Sequence, residues 1–127
     1  MHRLLLPAHA LAEQDAGQAL RGAALAGWTW RRQSGRLQFA PQYQEVLGDK
    51  SAKLDHTLDE WLAEVHRDDR ARLSLAFRQH LDGQAPGTFN CEFRLRHSDG
   101  HWRWLLARGA VLTRASDGAA TQAGGII

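Results

Sequence analysis

The sequence predicts a single α+β domain of five strands, with short helices and one longer helix between the second and third of them. Three observations carry this. Phe89, Cys91, Phe93 and Leu95 alternate with Asn90, Glu92, Arg94 and Arg96, the period of two of a strand between unlike environments. Ser98-Asp99-Gly100 then supplies turn residues, and Trp102, Trp104 and Leu106 alternate with Arg103, Leu105 and Ala107, so the stretch reads as one long hairpin. Trp28-Thr29-Trp30-Arg31 and Leu37-Gln38-Phe39, joined by Ser34-Gly35, make a shorter hairpin upstream. Between the hairpins, Leu73, Ala76, Phe77, His80 and Leu81 recur at helical spacing.

The elements follow in order. Residues 8–26 are rich in Ala, Leu, Glu, Gln and Arg and predict a helix with a thin apolar stripe of Leu11, Leu20, Ala23 and Ala24, broken by Gly27. Such a helix is suited to lie on another surface. After the first hairpin, Pro41 opens a short helix over residues 42–47 that Gly48 stops. Residues 49–55 are polar and read as an irregular connection. Thr57 with Glu60 three residues on is a capping box for a turn carrying Leu58, Trp61 and Leu62. Asp68 or Asp69 caps the long helix, which ends near Leu81 ahead of Gly83. Residues 84–87 form a loop, and a last strand over residues 121–127 follows a turn at Ser116-Asp117-Gly118. Both faces of the closing hairpin carry apolar groups, so both are expected to be covered, one by the central helices and one by the N-terminal helix or a partner chain, and full burial of Trp104 would make Trp104→Ala cost about 3–5 kcal/mol. The chain stops on Ile126-Ile127 within that strand, which reads as a fragment of a longer protein.

Size and charge narrow the classes of function. The 127 residues suit one core, and a hydrophobic content of 43% with five Trp can build it. The net charge is only +2, and Lys and Arg are interleaved with acids, which excludes the basic tract of a nucleic-acid binder. Cys91 is the single cysteine, so an internal disulfide and a cysteine-rich zinc site are excluded and a reducing compartment is indicated. Leu4-Leu5-Leu6 stops at Pro7, too short for a signal peptide, and no stretch reaches the roughly 20 apolar residues of a membrane span. The expectation is a cytoplasmic module without direct membrane contact, either free-standing or the cytoplasmic part of a membrane-anchored parent.

Several motifs, in order, resemble the PAS sensor family. Gly27-Trp28-Thr29-Trp30 resembles the family's Gly-x-Trp-x-Trp opening of the first strand, and Tyr43-Gln44-Glu45-Val46-Leu47-Gly48 its short helix ending in Leu-Gly. Val65-His66-Arg67-Asp68-Asp69-Arg70 resembles its His-Pro-x-Asp-Arg signature, with Arg67 where Pro is usual. Phe89-x-x-Glu92-Phe93-Arg94-Leu95-Arg96, the Asp-Gly turn and Trp102-Arg103-Trp104 resemble its closing hairpin. The resemblance implies a PAS fold over residues 27–127, a five-stranded antiparallel sheet with its helices between the second and third strands, with an N-terminal cap helix over residues 1–26. It also implies a noncatalytic sensory module that binds a small ligand or cofactor (haem, flavin or a small metabolite) and regulates an attached histidine kinase or cyclic-di-nucleotide enzyme. The alternative within the family is a ligand-free homodimerisation module pairing through its N-terminal helix. A third alternative is a cone-shaped α+β enzyme using His66, with Asp68 or Asp69, as general base.

Site candidates follow. His80, on the apolar stripe of the long helix, is the candidate haem ligand, because haem-binding relatives take their axial His from this region; His56 is the second. Asn90-Cys91-Glu92-Phe93 echoes the Asn-Cys-Arg-Phe of flavin photosensors, but on a strand rather than a helix, so Cys91 reads as a buried small hydrophobe. One His with adjacent carboxylates at His66, Asp68 and Asp69 lacks the converging ligands of a metal site. His97 and His101 flank the hairpin turn as solvated residues. Glu92, Arg94 and Arg96 share a strand face, with Arg103 expected opposite them.

Overall fold

Trp28 and Trp30 alternate with Gly27, Thr29 and Arg31 along the first strand, and the two indoles are buried on one side of it. The computed structural model describes residues 25–83 and 88–127. The helix expected over residues 8–26 and the loop over residues 84–87 therefore fall outside the described residues, apart from Leu25 and Ala26. Ala26 is already paired with the last residue of the chain, its N–H donating to the Ile127 carbonyl and its carbonyl accepting from the Ile127 N–H.

In chain order the elements are β1 (Gly27–Arg31), β2 (Arg36–Phe39), α1 (Gln42–Leu47), β3 (Asp55–Thr57), α2 (Leu58–Leu62), α3 (Arg67–Leu81), β4 (Phe89–Arg96), β5 (Trp102–Arg114) and β6 (Ala120–Ile126). The strands form one antiparallel sheet in the order β3-β2-β1-β6-β5-β4. Among the described residues the sheet thus has six strands where the sequence predicts five. The added strand is the end of the polar connection: its three residues have no apolar alternation and are extended because they pair with β2, His56 opposite Leu37.

Local chemistry explains the boundaries. Gly48 ends α1 at φ 65°, in the left-handed region that spares glycine a steric cost. Thr57 and Glu60 make the predicted capping box, each side chain accepting from the other's backbone N–H, at 3.1 and 2.7 Å. The cap of α3 differs from expectation. His66 caps it, its Nδ1 accepting from the Asp68 N–H at 3.1 Å, while Asp68 faces solvent and Asp69 turns inward. The helices cover the inner sheet face, where Tyr43, Trp61, Leu73, Phe77, Phe93 and Leu95 are buried. Trp28 lies edge-on to Phe77 and Phe89, and Phe39 stacks on Tyr43 at 4.2 Å between ring centres.

Candidate functional site

The interior is where a fold of this kind would hold a ligand, and here it is filled by aromatic rings. The space left between sheet and helices is about 20 Å³, room for a single water. All ten residues around it are apolar, among them Trp28, Phe39, Trp61, Phe77, Phe89 and Ile127. Its two indole N–H groups are committed elsewhere, Trp28 Nε1 to the Ile126 carbonyl at 3.1 Å and Trp61 Nε1 to the Tyr43 hydroxyl at 3.1 Å. Burial pushes the Tyr43 phenol well above its usual pKa, so it stays neutral. Gly109 makes this packing possible: a Cβ there would stand 2.5 Å from Cζ2 of Trp28. Pockets that enclose a drug-sized ligand run to about 300 Å³ or more, so neither haem nor flavin fits this interior as packed.

The sequence candidates are spread around this core and do not converge. His80 is buried, 3% exposed, 5.8 Å from the Phe89 ring, and does not line the cavity. Among the described residues neither of its ring nitrogens has a hydrogen-bond partner, and burial, with Arg114 nearby, pushes its pKa down. His56 is buried too, but its Nε2 is 2.8 Å from the Lys53 carbonyl and its Nδ1 is 3.7 Å from Glu64. His66 has its Nδ1 occupied by the helix cap, 3.9 Å from the Asp68 carboxylate, and its ring 4.6 Å from Trp102. Cys91 is buried, with Arg72 Nη1 donating to Sγ at 3.3 Å, and burial pushes its thiol pKa up. At the β4–β5 turn, Asp99 lies 3.3 Å from His97 and 3.5 Å from His101 and pairs with Arg103. The His101 N–H and then Arg103 hold its carboxyl well below the usual range. Among the described residues no group of three or more His, Cys, Asp or Glu could hold a metal ion, and no helix is long and apolar enough to cross a membrane.

Asp69 is the residue that sequence reasoning misplaces. Its Oδ2 accepts from the Arg94 backbone N–H and Nε, and its Oδ1 from Nη2, all at 2.9 Å. These bonds hold its carboxyl down to about 2. The signal was present: Asp69 sits four residues before Leu73 and eight before Phe77, on the stripe that packs inward.

The outer sheet face has the opposite character to the interior. On β5, Trp102, Trp104 and Leu106 are 41%, 59% and 43% exposed, and Leu112 and Ile126 lie on the same face, also exposed. Register places Arg94 opposite Trp104 and Arg96 opposite Trp102, with their guanidinium carbons 4.6 and 5.5 Å from the ring centres. Arg103, expected beside Arg94, instead pairs with Leu95 on the other face. The hairpin is therefore covered on one face only among the described residues. The reason is that apolar side chains on both faces of β5 do not by themselves say which face the helices take.

Comparison with known proteins matches the fold. The chain is 28% identical, with a TM-score of 0.67, to a sensory box histidine kinase/response regulator from Burkholderia thailandensis, over 90% of this chain and 83% of that one. The N-terminal domain of a diguanylate cyclase with a PAS/PAC sensor from Marinobacter aquaeolei is 20% identical, TM-score 0.65, over 80% of this chain and 91% of that one. A domain of a putative light and redox sensing histidine kinase from Haloarcula marismortui is 19% identical, TM-score 0.65, over 89% and 96%. No curated protein matches the chain. The family description "PAS fold" matches residues 36–127, well over half of the sequence, and the chain belongs to the PAS family.

Proposed function

We propose that this PAS domain is a noncatalytic sensory and signalling module of the cytoplasm, regulating an attached histidine kinase or cyclic-di-nucleotide enzyme through contacts of its outer sheet face. One contrast carries the reading: the interior is filled and apolar, whereas among the described residues the exposed indoles and, apart from Leu75, the exposed large aliphatics are on β5 and β6. Likeness to a sensory box histidine kinase/response regulator and to the sensor domain of a diguanylate cyclase supports the choice of output. Homodimerisation through the N-terminal segment belongs to the same reading.

A second reading has one observation in its favour. An imidazole buried with no partner among the described residues is unusual, and His80 would gain one by ligating a haem iron after the core had opened. The visible absorption spectrum of freshly purified protein, with its mass under native conditions, separates the two. The expected result is no Soret or flavin band and a mass equal to the polypeptide or a multiple of it. A Soret band would overturn the filled-core reading and promote His80 or His56 to ligand.

A further inference from the structure

The core is filled, but a roomier space lies outside it, at the hairpin end of the sheet. There the connection after α1, the residues after α2 and the tip of the β4–β5 hairpin enclose a groove of about 510 Å³. That falls within the range of small-molecule sites, about 300–1,000 Å³, against about 20 Å³ in the interior. Leu47, Leu95 and the half-exposed indole of Trp102 give the groove apolar walls. Its charged groups balance, with Asp49 and Glu64 against Lys53 and Arg96. Asp49 and Lys53 are already engaged. Asp49 accepts from the Ser51 N–H and hydroxyl, and Lys53 lies 3.5 Å from Glu60. Glu64 and Arg96 are brought to facing positions because Val65 bridges Leu95 in antiparallel fashion. Yet Arg96 rests over Trp102 and, among the described residues, has no carboxylate within ion-pairing distance.

Glu64 is short of a donor as well. His56 is 2% exposed, and its Nε2 lies 2.8 Å from the Lys53 carbonyl. A carbonyl only accepts, so in the neutral ring Nε2 carries the proton. The Nδ1 lone pair then faces a Glu64 carboxylate oxygen at 3.7 Å, acceptor against acceptor. Burial raises the Glu64 carboxyl, with His56 and Lys53 acting the other way. A cationic group beside Glu64 relieves both strains.

We propose that this groove binds a free α-amino acid with an apolar side chain, its ammonium on Glu64, its carboxylate on Arg96 and its side chain against Trp102 and Leu47. A plain cation would meet Lys53 and leave Arg96 unpaired, and a plain anion would meet Asp49 and leave Glu64 unpaired. The balanced lining therefore selects a zwitterion. Because the occupant sits outside the interior, the filled core is no obstacle to it. Binding here goes beyond the sheet-face reading above and does not depend on which partner covers that face.

The test titrates the full chain by calorimetry with L-leucine, L-phenylalanine, phenethylamine and 3-phenylpropionate. The last two lack, in turn, the carboxylate and the ammonium of phenylalanine. The titrations are repeated with Glu64→Gln and with Arg96→Gln. The expected result is that both amino acids bind wild type, phenylalanine about tenfold or more tighter than either analogue. Arg96→Gln should remove only the advantage over phenethylamine, and Glu64→Gln only the advantage over 3-phenylpropionate. A merely destabilised chain does not produce that split. Equal binding of all four probes would overturn the zwitterion in favour of plain apolar contact. Amino-acid binding that both variants leave unchanged would put the ligand elsewhere and overturn the site. No binding of either amino acid at millimolar concentration would overturn it outright, and a stability cycle over the two variants then shows whether Glu64 and Arg96 close on each other instead.

Discussion

Asp69 shows how one carboxylate can close the edge of a sheet. β4 is an edge strand, and the Arg94 N–H on its open side would otherwise have only water to bond. Asp69 reaches across from α3 to accept that N–H together with the Arg94 guanidinium, while the His66 N–H donates to the Arg94 carbonyl at 2.9 Å. Helix start and strand edge are thereby locked together. Charge-assisted bonds of this kind contribute about 1.5–3 kcal/mol, so Asp69→Ala should lower stability by about that much at neutral pH. The pH dependence follows from the direction of the shift. The folded carboxyl titrates near 2, below its unfolded value, so its contribution is complete above about pH 4 and is lost as the pH falls towards 2. Urea unfolding at pH 7 and pH 3 should show the gap between wild type and Asp69→Ala narrowing at the lower pH. A gap that is constant across this range would mean the ion pair adds nothing.

At the level of elements, β4 and β5 look alike in sequence and differ in fate. Phe93 is fully buried, whereas Trp104 is 59% exposed over Arg94, so the large cost that full burial would give Trp104→Ala belongs to Phe93 instead. Phe93→Ala should cost about 3–5 kcal/mol and Trp104→Ala under about 1 kcal/mol. Thermal melts of the two variants side by side check the order, and a larger loss from Trp104→Ala would place its indole under another surface. Alternation revealed both strands and the Asp-Gly turn joined them, but β5 has apolar groups in both registers. Only the pairing Arg94↔Trp104 and Leu95↔Arg103 decides which register faces the helices. Capping chemistry was the more legible signal: Gly48, Thr57 with Glu60, and Gly83 act on their own neighbours and mark their boundaries in the sequence. β3 was illegible for the converse reason, since Asp55–Thr57 is a strand only by virtue of pairing with β2.

For the molecule as a whole, fold was far more legible than site. Five of the six strands and the helices between them follow from periodicity and punctuation, which are local. Whether the centre holds a ligand depends on how rings from β1, α1, α2, α3 and β4 meet, and no single stretch records that. Trp28 against Phe77, Phe89 and the bare backbone of Gly109 is such a meeting, and it brings together four separate elements. The same closure bears on the N-terminal segment. The buried apolar residues among those described run from Ala26 to Ile127, and β1 is held on both sides, by β2 and β6. In the proposed reading, residues 1–20 join two copies. Deleting residues 1–20 should therefore leave a domain that melts cooperatively near the wild-type temperature, with a smaller mass by light scattering at equal concentration. A mass per particle that falls only by the residues removed would sink the dimer contact, and loss of the cooperative melt would show that the segment belongs to the core after all.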